Sequence, residues 1–255
     1  MGKLRTSLSS LSRDLDSVRK TAEEAGSKYE KLASNGWQIM QMSAAGIDET
    51  FLYINEKLKK RKLKIADVKD ETIKDFEDAK VKKFIKGVDD GRKQAIAMHK
   101  QWDQVGQDLD RELRALDKAV ADINSQLAKK KKKLIKTKKY KQKIKIYENW
   151  LSGLTKQLAE LKQLAKQAAR DSSPPSEAKI SKVLDISMKS TIAELDRAAG
   201  IEVKNLLRKY SDHKKEGSEH KRKLRVAGDF RGELKTLRQW VDEADDMDEE
   251  EKSVS

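Results

Sequence analysis

The sequence predicts an all-α fold: an elongated multi-helix coiled-coil rod or bundle with a long antiparallel helical hairpin turning at Pro174-Pro175. Three observations predict it. Breakers are scarce, with two prolines and 12 glycines in 255 residues, whereas most β-rich folds need a turn about every ten residues. Charged residues make up 39% of the chain and aromatics 5%, against roughly 25% charged in typical domains, which disfavours a compact α/β enzyme. Apolar residues recur in alternating steps of three and four, the stripe of a helical seam.

The first seam is Leu4, Leu8, Leu11, Leu15, Val18, Ala22, Ala25, Tyr29 and Leu32. It predicts a helix over 3–34, closed by Asn35-Gly36 as C-cap and turn. Trp37, Met40, Ala44, Ile47, Phe51, Ile54 and Leu58 predict a second helix over 37–62, antiparallel to the first because the connection is short. Its basic end, Lys57 to Lys64, suits the helix dipole. Residues 63–68 alternate like a strand but are too isolated for a sheet and read as a loop. Asp67 or Asp70 can cap a third helix over 69–86, carrying Ile73, Phe76, Phe84 and Ile85. Gly87 and Gly91 predict a break or kink, so 1–87 reads as an N-terminal helical domain.

Residues 88–241 read as the long hairpin. One seam runs Trp102, Val105, Leu109, Leu113, Leu116, Val120, Ile123, Leu127, and another runs Ile144, Tyr147, Leu151, Leu154, Leu158, Leu161, Ala165, Ala168. The two are in phase through Leu134. They predict one helix over 90–170, roughly 120 Å long at about 1.5 Å per residue. A second hairpin tip at 130–143 is the competing arrangement, and lysine's fair helix propensity favours continuity. Pro174-Pro175 end this helix, and Ser176 can cap the next, over 177–241. The last seam is Ile180, Leu184, Ser187, Thr191, Leu195, Ala198, Glu202, Leu206, Tyr210, then Leu224, Ala227, Phe230, Leu234, Leu237, Val241, Ala244. In such a hairpin residue i faces about 348 − i. The polar stretch Lys129 to Lys143 then largely overlaps the polar stretch Ser211 to Lys223. The segment 242–255 reads as an acidic, disordered tail.

A net charge of +14 points to acidic partners. Its densest source is Lys129, Lys130, Lys131, Lys132, Lys133, Lys136, Lys138, Lys139, Lys141, Lys143 and Lys145, eleven lysines with no acid among them. Such a run repels itself unless an anion neutralises it. Phosphates of nucleic acid, anionic headgroups and an acidic protein helix all fit it, because lysine is a point charge without arginine's fork. The opposing run, Asp242 to Glu251, carries −8. In the predicted hairpin it lies about 45 Å from the lysines, so the two runs are expected to pair in trans.

Other candidates are weaker. His213, Glu216 and His220 share a helix face and could ligate a divalent metal, but flanking lysines repel a cation. The expectation is a hydrated polar interval, with no metal and no cofactor. Trp37 to Ile54 holds two charges in 18 residues. It reads as a central bundle helix or, more sharply, as a membrane-entering element contacting lipid through Trp37, Ile39, Met40 and Phe51, although short of a stable span. The absence of cysteine excludes disulfides and thiolate sites. No Gly-rich phosphate loop, HExxH or GxSxG occurs, so no enzyme and no small-molecule substrate is expected. Without a spanning run or a secretory signal, a cytoplasmic location is expected, with signal-independent export left open.

The plan of long, kinked, basic helices ending in a hairpin resembles that of membrane-curving BAR-type proteins, helical pore-forming toxins and bacterial secretion-associated rods. That resemblance lies in architecture alone and carries over no residues. The expected function is that of a non-enzymatic interaction or scaffold protein. It would assemble with itself or other helical proteins through its seams and bind an acidic partner or anionic surface through the lysines. The alternatives are a membrane-active helical protein and a non-specific nucleic-acid binder. The latter is disfavoured by few arginines for base readout.

Overall fold

A computed structural model describes residues 2–64, 78–133, 138–171, 174–184 and 200–253, with side chains to Ala244. Among these residues every regular element is a helix: α1 Lys3–Lys60, α2 Ala79–Lys133, α3 Lys138–Asp171, α4 Glu177–Leu184, α5 Gly200–Ala227 and α6 Arg231–Ser253. The chain is all-α, as its periodicity requires.

Asn35-Gly36 does not end a helix. α1 runs through it, and the two predicted helices over 3–34 and 37–62 are one. The first seam passes into the second without losing phase: Tyr29, Ala33, Gly36, Met40, Ser43, Ile47, Thr50, Ile54 and Leu58 are all buried. Gly36 serves close approach: a Cβ there would lie 2.7 Å from the Tyr210 ring. Gly91 does the same inside α2, where a Cβ would overlap the Ser43 hydroxyl, so the break expected at Gly87–Gly91 is absent. Gly36→Val is expected to lower stability by about 2 kcal/mol, the overpacking cost in a filled core. Urea denaturation measures it.

α1 ends in a turn built by its last residues. The Leu63 N–H donates to Leu58 O and the Lys62 N–H to Lys59 O, with Lys62 left-handed at φ 54°. This is the Schellman pattern, and its left-handed position favours glycine. Lys62→Gly is therefore expected to raise stability by about 1 kcal/mol, read as a higher thermal midpoint.

α2 starts at Asp78, whose carboxylate accepts from the N–H groups of Lys80 and Val81. Its other oxygen takes the Tyr53 hydroxyl and the Lys57 ammonium of α1, the latter at 2.5 Å. These bonds hold the Asp78 carboxyl far below the usual carboxylate range, with the Lys57 bond the largest cause. The expected caps Asp67 and Asp70, and the helical residues expected before 78, lie outside the described residues.

The predicted helix over 90–170 is corrected. Lys131 pairs with Glu148 at 3.0 Å, and Lys162 pairs with Asp117, 45 residues away in sequence. A continuous helix would put that second pair about 68 Å apart. α2 and α3 are instead antiparallel, as in the competing arrangement. The physical reason is burial: folding α3 back beside α2 places the seams Leu109 to Leu127 and Tyr140 to Leu161 in one core, whereas a single extended helix would leave them to water. Leu134, the link in the predicted phase, lies outside the described residues.

α3 is antiparallel to the segment from Gly228 through α6, but in another register than predicted. Lys143 pairs with Glu243 at 3.7 Å, Tyr147 packs against Trp240, and the Cβ position of Gly228 comes within 3.9 Å of Leu161. This pairing centres about 20 residues beyond Pro174-Pro175. The prolines interrupt the helix without supplying the centre of the hairpin. Ser176 caps α4 as expected, accepting the Lys179 N–H at 3.3 Å. Ser187, Thr191, Leu195 and Ala198 lie outside the described residues.

The chain packs as two units, interleaved in sequence and not divided near residue 87. The first comprises 1–28, 105–169 and 219–255. Its core takes the first seam of α1 (Leu4 to Ala25), Leu109 to Leu127 of α2, Tyr140 to Leu161 of α3, and Phe230, Leu234, Leu237, Trp240 and Ala244. Ser7 donates to Asp122 at 2.5 Å and Ser17 to Glu112 at 2.9 Å, fixing α1 antiparallel to α2. The second comprises 29–104 and 170–218. Its core joins Met40 and Ile47 of α1, Val88 and Ala95 of α2, Ile180, Val183 and Leu184 of α4, and Val203, Leu206 and Tyr210 of α5. Val203, not the predicted Glu202, fills this seam because Glu202 faces water.

Candidate functional site

The lysine cluster occupies the end of α2 and the start of α3. Because these helices are antiparallel, their basic ends come together at one tip of the first unit. Lys129, Lys131, Lys132, Lys138, Lys139, Lys141 and Lys145 are exposed, and Lys143 is half-exposed. Lys130 is buried. Lys136 and the side chain of Lys133 lie outside the described residues. A helix presents residues three and four apart on one face, so a single helix would spread these charges around its axis. Two antiparallel ends concentrate them instead.

Beneath the tip, Leu127, Tyr140, Ile144 and Tyr147 are buried and give the ammonium groups a rigid base. Tyr147 packs at a tilt against Trp240 with ring centroids 4.1 Å apart, and Trp150 meets the same indole edge-on at 4.9 Å. Burial, with the Glu243 charge adding to it, holds the Tyr147 hydroxyl above the usual tyrosine range.

The base of the acidic run meets the lysine cluster in cis. Glu243 pairs with Lys143 at 3.7 Å, and α6 continues to Ser253. Two expectations are corrected here. The tail is helical through Ser253, and it is not 45 Å from the lysines. The predicted distance failed because it rested on a hairpin centred at the prolines and on a continuous 90–170 helix. The base of the tail is packed into the first unit, where Trp240 and Ala244 are buried.

No protein-family model, curated protein or solved structure matches this chain.

The remaining candidates lie elsewhere. Met40 is buried in the second unit's core, and Trp37, Ile39 and Phe51 pack against that core. Lys214 sits 3.9 Å over the Trp37 ring. Met42 and Leu52 are the large apolar residues exposed in this stretch. Among the described residues no helix is long and apolar enough to cross a membrane. None of their His, Asp and Glu side chains form a group of three placed to hold a metal ion. The polar interval is packed against α1, not against 129–143: Ser218 donates to Glu30 at 2.9 Å.

His213 lies beside Tyr210 and borders a cavity of about 10 Å³, enough for one water molecule. Burial, reinforced by Lys209, holds its imidazole below the ordinary histidine range, with Asp212 opposing. Folding therefore favours the neutral form. That stability is present above about pH 6.5 and is lost as the pH falls below it. Thermal melts from pH 7 to 5 are expected to show a smaller loss in His213→Gln than in the parent.

Proposed function

We propose that this chain is a non-catalytic helical interaction protein that captures polyanionic surfaces through the α2–α3 tip. The single observation behind this reading is the gathering of seven exposed lysines at the adjoining ends of two antiparallel helices. Each ammonium near an anionic surface contributes about 1 kcal/mol, so several acting together give useful affinity without a shaped pocket. Specificity among anions comes from the spacing of charge along the helices and not from bidentate recognition.

The apolar seams are largely filled within the chain, with Leu4, Leu11, Leu116 and Leu161 fully buried. Contact with partners, whether other helical proteins or further copies, is therefore assigned to the charged exterior. Anionic membranes and nucleic acid are the competing surfaces. Sedimentation with phosphatidylserine–phosphatidylcholine vesicles, mobility shift with duplex DNA and anisotropy of a labelled acidic peptide test the reading side by side. Binding to at least one, weakened by salt, supports it. Absence of binding to all three at low salt contradicts it.

A further inference from the structure

We infer that the acidic end of α6 is a resident occupant of the basic tip, and that the partner this tip accepts is an acidic helix of another protein, which must displace it. The inference rests on the anion-binding reading of the tip. Its own observations are the Lys143–Glu243 pair, the seating of Trp240 on Tyr147 and Trp150, and the continuation of α6 to Ser253. α6 runs antiparallel to α3, so its backbone beyond Glu243 follows α3 back towards Lys138. That stretch of α6 is where the sequence places Asp245, Asp246, Asp248, Glu249, Glu250 and Glu251.

The resident defines the chemistry of the visitor. It is a helix rich in carboxylates by sequence, running antiparallel to a helix rich in ammonium groups, both advancing about 1.5 Å per residue. A second acidic helix reproduces this match, whereas phosphates spaced along a nucleic acid or fluid in a membrane do not. The contact is also of a displaceable kind. Lys143 and Glu243 are 30% and 50% exposed, and ion pairs in water are weak and screened by salt. Trp240, buried below, anchors the helix, so only the last turns need to leave the tip.

The test uses the full chain and a full-length variant carrying Asp245→Asn, Asp246→Asn, Asp248→Asn, Glu249→Gln, Glu250→Gln and Glu251→Gln. The probe is a fluorescent peptide with the sequence of residues 238–253, and circular dichroism checks that both proteins are folded. The variant is expected to bind the peptide about tenfold more tightly, the factor for a tip occupied about nine-tenths of the time. Adding Lys129→Gln, Lys132→Gln, Lys138→Gln and Lys139→Gln to the variant should remove that gain. Equal affinity of parent and variant would overturn the resident occupant while leaving the tip reading intact. A gain for phosphatidylserine vesicles or duplex DNA without one for the peptide would overturn the partner class. Failure of both proteins to bind peptide, vesicles and DNA would overturn the tip reading itself.

Discussion

Trp240→Ala is expected to lower the unfolding free energy by about 4 kcal/mol, the usual cost of deleting a large buried aromatic. The indole is 9% exposed and contacts two rings of α3, Tyr147 and Trp150. Its loss removes buried apolar area and two aromatic contacts worth about 0.5–1.5 kcal/mol each beyond that area. Ile146→Ala, on the same stretch of α3 but 56% exposed, is the control and should change stability by less than about 0.5 kcal/mol. Equilibrium urea unfolding separates the two. Similar small effects in both variants would mean that α6 does not pack on α3 in this way.

Trp240 also shows where sequence reading stops. After Leu237 a seam can step by three, to Trp240, or by four, to Val241. Strict alternation selects Val241, but Trp240 is the buried one, because α6 faces aromatic rings of α3 there. The helical class was legible because seams such as Leu4 to Ala25 leave little else for the chain to form. Registers were not. Gly36 and Gly91 have the composition of breaks, and only a neighbour's side chain, Tyr210 or Ser43, reveals them as places of close approach. The antiparallel pairing of α2 with α3 likewise shows only in long-range pairs, Asp117 with Lys162 and Lys131 with Glu148. Local propensity carries no record of these pairs.

Replacing Lys129, Lys132, Lys138 and Lys139 by glutamine is expected to weaken binding to the preferred polyanion by roughly a thousandfold at low salt. Four ammonium groups at about 1 kcal/mol each give about 4 kcal/mol, and about 1.4 kcal/mol is a factor of ten. All four are exposed, and none lies in the core beneath the tip. Stability should hold or rise slightly, since like charges on neighbouring turns repel. Vesicle sedimentation, peptide anisotropy or mobility shift reads the affinity, and a thermal melt confirms folding. A loss below tenfold would move the binding surface elsewhere.

The lysines themselves were legible as a run without acids. Their arrangement was not. A run on one continuous helix would be a spread stripe, whereas the same residues on two antiparallel ends make a compact tip. The acidic segment was legible as an opposing charge, but its place beside Lys143 depends on Trp240 and the true register of α3 with α6.

The most direct test of the electrostatic tip is the salt dependence of binding by the unmodified chain. Affinity for the polyanion it binds best, measured across a series of salt concentrations, should fall as a straight line in a log–log plot. For duplex DNA the slope is about 0.9 per phosphate neutralised, so four or more engaged lysines give a slope steeper than about −3.5. An affinity that stays flat between low and high salt would contradict capture by the lysine tip.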